Sequence, residues 1–328
     1  MTTVGEGDLK YEPVENWPRK DNEIAITEAV GVAVDSQDRV YVFNRGAPPV
    51  IVFDRDGRYI NSWGDGQFVR PHGIWIAADD TLYLTDDNGH SVKQFTSEGQ
   101  LLRTIGPSGE PSETGVEGID YRTIARGAPP YNLPTNTLVT SNGEIFVSDG
   151  YGNARVHRFS TEGELLRSWG GPGGNEGEFH LPHGIGIDRD DRIYVADREN
   201  RRLQLFSSKG EFIEAWTDIV RPCEVFVAAD DLVYVAELGE RHGLFPWMTV
   251  PANAIGGRVS IFDREGKLLC RWGGGHESAL ATEFYAPHDI WVDSQGSIYV
   301  GEVARTAANM EGKDLGDLPT LRKFTRRH

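Results

Sequence analysis

The chain has 328 residues, and its 33 Lys and Arg stand against 50 Asp and Glu, a formal net charge of −17. That shortage of cations argues against nucleic acid or an anionic membrane as partner, because phosphate surfaces are held by clustered Lys and Arg. No apolar run approaches the roughly 20 residues that span a bilayer, and the polar N-terminus has no apolar core of the secretory kind. Two cysteines, Cys223 and Cys270, cannot make a disulfide framework. A cytoplasmic location is the expectation. The 39 Gly, 17 Pro, 8 Trp, 11 Tyr and 14 Phe suggest many short strands joined by tight turns.

Along the chain one pattern of about 40 residues recurs six times, each copy holding four segments that alternate apolar and polar residues. The copies span approximately 28–64, 69–106, 132–170, 180–216, 220–273 and 285–328, the clearest beginning PHGIWIAADDTLYLTDDNG and PHGIGIDRDDRIYVADREN. Turns such as DRDG, SEG, TEG, SKG and DREG separate the third and fourth segments. Four-stranded units at this period predict an all-β, six-bladed β-propeller in a single domain. The apolar period of two excludes a helical solenoid. The last copy stops after its third strand, so residues 9–16 are expected to supply the fourth and close the ring without an exposed edge.

The repeats align one position at the mouth of each first strand: Val30, His72, Thr135, His183, Cys223 and His288. Histidine occupies the second, fourth and sixth copies. In a closed ring these blades lie about 120° apart, so the three imidazoles are expected to converge on the axis. Three His with an open position make a catalytic zinc arrangement; the competing explanation is that Pro-His is a turn habit of the repeat. His90, His157 and His276 are expected at the surface or in turns, and His180 off the axis.

Fourteen residues after the mouth stand Asn44, Asp86, Asp149, Asp197, Glu237 and Glu302, expected to serve the fold by accepting backbone N–H groups. The next residues are Arg45, Asp87, Gly150, Arg198, Leu238 and Val303, with Tyr151 one step on. Arg45, Arg198 and Tyr151 leave their strands beside the histidines and are candidates to surround a metal. The alternatives are a solvated surface for the arginines and packing for the tyrosine.

The repeats look like the NHL class. Combined with RG after VFN, PHGI, SDGYGNARVHRF, DRENRR and PHDI, nearly the whole chain resembles the peptidyl-α-hydroxyglycine α-amidating lyases. The resemblance implies zinc on His72, His183 and His288, Tyr151 as base, and Arg45 and Arg198 engaging substrate and developing charge. It also implies a structural calcium, with Asp289 matching the carboxylate ligand. The chemistry implied is C–N cleavage of a carbinolamide to an amide and glyoxylate. The substrate expected is a small molecule carrying a carboxylate, with no obligate protein partner. Two positions depart from the family: Ala286 stands where it often has Met, and Gly152 where a disulfide-bonded Cys usually follows the tyrosine.

Insertions at 106–132, 238–257 and 303–318 interrupt the repeat and are expected at the rim. Phe245, Trp247 and Met248 in the second are the candidate substrate lid, against a loop packed on a neighbouring blade. Two other function classes remain open at this stage: a metal-dependent lactonase or esterase on the same propeller, and a non-catalytic NHL protein-binding scaffold.

Overall fold

The computed structural model describes residues 2–21, 23–241, 245–276 and 280–327. The alternating segments fold as antiparallel strands, and the chain is an all-β, six-bladed β-propeller with four strands in each blade. No helix among the described residues is long and apolar enough to cross a membrane. Two compact units divide the chain, one of residues 1–62 with 226–328 and one of residues 63–225.

The second unit carries blades 2, 3 and 4, whose first strands are Pro71–Ile76, Pro134–Val139 and Pro182–Ile187. Between them lie apolar clusters built by alternate residues of facing sheets, such as Leu138, Val156, Ile185, Val195 and Phe206. Aromatic residues ending a fourth strand set the outer packing. Trp169 lies where a side chain on Gly210 would stand 2.7 Å from its ring, and Gly210 also holds φ at 75°. Both constraints demand glycine in that turn.

The first unit carries blades 1 and 6 and most of blade 5. Residues 9–16 were expected to complete blade 6; Leu9–Pro13 does so, pairing antiparallel with Leu321–Arg326 through Tyr11↔Arg326 and Pro13↔Phe324. Val4–Glu6 then adds a strand the repeat did not reveal. Tyr11 is fully buried, stacks on Trp272 at 5.6 Å and shares a hydrogen bond with Tyr234.

One irregularity recurs at the mouth of the first strand. Pro71 pairs with Asp86 but Ile74 with Leu84, so one residue of the first strand is supernumerary. The same shift occurs at Ala29/Gly31, Pro134/Asn136, Pro182/Ile185 and Pro287/Asp289. A β-bulge re-aims the side chain it carries, and its place is where His72, His183 and His288 stand.

Candidate active site

The carboxylates that end the second strands build the loops that present the mouth. Asp86 accepts N–H groups of Val69, Arg70 and Gly89 at 2.7–2.9 Å. Asp149 accepts from Asn132, Asp197 from His180, and Glu302 from Tyr285 and Ala286. All are fully buried. Apart from the bond to Gly89, which lies in the turn after the second strand, these bonds run to the loop entering the same blade, so each second strand holds its own first strand in place. Glu237 instead takes the side chains of Arg258 and Ser260.

In the second unit, the bulges of blades 2 and 4 bring His72 and His183 together with ring centroids 4.9 Å apart. Both are buried. His72 Nδ1 lies 2.6 Å from the carbonyl of Thr135, and His183 Nδ1 lies 2.8 Å from that of Cys223. A carbonyl only accepts, so each Nδ1 carries the proton and each Nε2 keeps its lone pair. The Tyr151 hydroxyl sits between those lone pairs, 3.3 Å from His72 Nε2 and 3.1 Å from His183 Nε2. Its one proton cannot serve both acceptors, which is the environment a cation suits.

Tyr151 is set by the glycines that flank it. A Cβ on Gly150 would stand 2.1 Å from the carbonyl oxygen of Pro182, and one on Gly152 would stand 2.2 Å from Asn132 Oδ1. At Gly152, where the resembling family has its disulfide-bonded cysteine, this chain stitches the turn to the 106–132 insertion by hydrogen bonds. Thr114 Oγ1 donates to the Gly152 carbonyl at 2.6 Å, and Asn132 Nδ2 donates to that of Ser112 at 2.9 Å.

Arg198 closes the same group, its Nη1 donating to the Tyr151 hydroxyl at 3.4 Å with the guanidinium 5.4 Å from the ring centre. Its Nε donates at 2.8 Å to Glu199, which Arg221 also grips through Nε at 3.1 Å and Nη2 at 2.7 Å. Burial alone would raise the Glu199 carboxyl, but Arg221 and Arg198 outweigh it and push the group down to about 2. Burial likewise opposes the charge of Arg198, yet Tyr151 and Glu199 hold it protonated. Burial pushes the Cys223 thiol up to about 11.

In the first unit, His288 repeats the same device, its Nδ1 lying 2.7 Å from the carbonyl of Val30. Asp289 follows it. One oxygen accepts the N–H of Val32 at 2.9 Å and the other that of Ile290 at 2.7 Å, and burial pushes this carboxyl up to about 8. Arg45 donates at 3.3 Å both to Glu28 and to Thr306, on the short helix Ala304–Met310 within the third insertion. Thr306 in turn donates to both oxygens of Glu28, by N–H at 2.7 Å and hydroxyl at 2.6 Å.

His157 departs from expectation. It is fully buried, with Nε2 3.1 Å from Asp149 and Nδ1 2.7 Å from Ser168, because the third strand of blade 3 turns it onto the carboxylate that ends the second. His90 does occupy a turn, with φ of 46°, and His276 is exposed. In the 238–257 insertion, Phe245 and Trp247 stack at 4.9 Å with planes 11° apart, and Phe245 is buried. Met248 donates its N–H to the Phe245 carbonyl at 3.0 Å. His242, Gly243 and Leu244 of that insertion lie outside the described residues. The sequence reading missed Glu28, Glu199 and Arg221. The available signal was an acidic residue beside a site arginine, as in DRENRR, or just before a mouth, as at Glu28.

An NHL-repeat family model matches residues 179–206. The chain is 32% identical over 306 residues to NHL repeat-containing protein 3 of Mus musculus, covering 88% of this chain and 80% of that protein. It is 28% identical over 270 residues to peptidyl-alpha-hydroxyglycine alpha-amidating lyase 1 of Drosophila melanogaster, covering 75% of this chain but only 45% of that relative. Among solved structures, a gluconolactonase from Xanthomonas campestris superposes with a TM-score of 0.63 at 13% identity, covering 98% of this chain and 91% of that one, a likeness of fold. The six repeats, the bulged mouths and the identity to NHL repeat-containing protein 3 agree: the chain belongs to the NHL-repeat family.

Proposed function

We propose that this protein is a metal-dependent lyase that cleaves the C–N bond of a small carbinolamide bearing a carboxylate. One observation carries the proposal: the Tyr151 hydroxyl lies between the proton-free nitrogens of two buried histidines, with a protonated arginine against it.

His72, His183 and His288 occupy equivalent bulges of alternate blades, and each is oriented by the same Nδ1 contact to a main-chain carbonyl. We assign all three to one divalent transition metal, zinc by the character of three neutral imidazoles. When bound, that ion supplies a Lewis acid beside the reacting oxygens. Asp289 retains one lone pair on each oxygen beyond its main-chain bonds, which suits a calcium held mostly by carbonyls.

The remaining steps belong to this chain's side chains. Arg198 receives the substrate carboxylate, for which a planar guanidinium offers paired donors. Arg45 is assigned, with Arg198, to engaging the substrate and the charge that develops on it. The oxygen of Tyr151 acts as the base and takes the proton of the carbinol hydroxyl. The O–H electron pair becomes the new C=O bond as the C–N pair departs on nitrogen, which collects the phenolic proton that Tyr151 gives up in exchange. The products are an amide and glyoxylate. Phe245, Trp247 and Met248 are assigned to covering the bound substrate.

The test supplies α-hydroxyhippurate to the zinc-loaded protein and assays glyoxylate. Stoichiometric glyoxylate and benzamide support the lyase. Turnover of lactones or esters without glyoxylate moves the assignment to a hydrolase, and a protein that neither retains metal nor turns over any of these is a scaffold.

A further inference from the structure

The two candidate catalytic arginines differ in charge balance. Arg45 pairs with the carboxylate of Glu28 at 3.3 Å. Arg198 belongs to a cluster of two guanidiniums and one carboxylate, in which Glu199 sits between Arg198 and Arg221 and all three side chains are only 4% exposed. Glu199 is held ionised and Arg198 protonated. Among these three side chains the two guanidiniums outnumber the one carboxylate. Without Arg221, Arg198 and Glu199 would cancel.

This surplus sits within a chain of net charge −17, whose overall field repels an approaching anion. All three side chains are buried, so their charge acts on the Tyr151 site through a lower effective dielectric than at the surface. The two bonds of Arg221 to Glu199 both fix that carboxylate and offset its charge.

We propose that Arg221 is the specificity-determining residue that makes the Tyr151 site select carboxylate substrates, through the net charge of the Arg198–Glu199–Arg221 cluster. The inference rests on the lyase reading for the position of substrate and deepens it by assigning the choice of anion to a residue remote from the chemistry.

The experiment measures binding of hippurate, which cannot react, against hippuramide, its uncharged counterpart, by calorimetry on the zinc-loaded chain. Four proteins are compared: wild type, Arg221→Met, Glu199→Gln and the double variant. Their clusters carry +1, 0, +2 and +1. The preference for hippurate is expected to fall about tenfold or more in Arg221→Met, to rise in Glu199→Gln, and to return near the wild-type value in the double variant. A purely structural role predicts the reverse for the double variant, which has lost both Arg221 bonds and the ion pair of Arg198 with residue 199 and would bind worst; that order overturns the proposal. Should Arg221→Met fail to fold by its thermal transition, Arg221→Lys takes its place, and loss of selectivity in that charged variant also overturns it. Wild-type protein that neither turns over α-hydroxyhippurate nor binds hippurate removes the lyase reading itself. Wild-type binding of hippurate with the wrong order among variants removes only the role of Arg221.

Discussion

His72 Nδ1 lies 2.6 Å from the carbonyl oxygen of Thr135, the residue that occupies the equivalent bulge of the next blade. His183 makes the same contact to Cys223, and His288 to Val30. The alternation of His with small or apolar residues around the mouths therefore has a physical meaning. Every second mouth supplies a ring, and the mouth after it supplies the carbonyl that fixes the ring's proton.

If these rings hold one ion, purified protein contains about one zinc or similar metal per chain, and His183→Ala lowers retained metal at least tenfold, since even losing a supporting contact to a ligand costs about 10–100-fold. Metal analysis after dialysis against a weak chelator checks this. Retention of metal by the variant with unchanged affinity would remove His183 from the ligand set.

Tyr151→Phe keeps the ring between the imidazoles and deletes the oxygen. Glyoxylate formation is expected to fall about 10²–10⁴-fold, the range for loss of a positioned acid or base. Binding of hippurate should persist, and stability should change by no more than about 1 kcal/mol. Substantial turnover in this variant, measured with the same metal content, would sink the role of the tyrosine as base.

The turn presenting Tyr151 tolerates no side chain on either flank. Gly150→Ala drives a methyl to 2.1 Å from a main-chain carbonyl that cannot yield, while Gly152→Ala meets the side-chain amide of Asn132, which can rotate, at 2.2 Å and its main-chain carbonyl less closely, at 2.8 Å. Overpacking of this kind costs about 1–3 kcal/mol, with Gly150→Ala the more severe. Urea unfolding of both variants checks the order.

Glu199 gives a pH signature. Its folded value of about 2 lies below the ordinary 4.5, so the unfolded chain binds the proton first as pH falls. The stabilisation is present above about pH 4.5 and is lost on descent toward pH 2. Relative to Glu199→Gln, wild type is expected to lose about 2 kcal/mol between pH 5 and pH 3. Parallel urea titrations at the two values measure it, and a constant difference between the proteins would show that the arginines do not hold this carboxylate ionised.

How much of this was legible beforehand follows from which forces are local. Strand alternation, turn glycines and the spacing from mouth to second-strand carboxylate repeat within about 40 residues, so six aligned copies exposed the propeller and separated His72, His183 and His288 from the other histidines. The pairing of Leu9–Pro13 with Leu321–Arg326 was legible because a missing strand leaves an edge that must be filled. His157 was misplaced because a period-two strand does not announce which polar residue meets a buried carboxylate.

The amino-acid sequence by itself determined the blade count, the mouth positions and the candidates Arg45, Tyr151 and Arg198, since all of these depend on register along one chain. Tertiary structure decided where the hydroxyl of Tyr151 points and which charges surround the arginines. Tyr151 is aimed by the Pro182 carbonyl and the Asn132 amide pressing on two glycines, and Glu199 meets Arg221 across 22 residues. Contacts between separate strands and loops have no period, so they exist only once the sheets have packed.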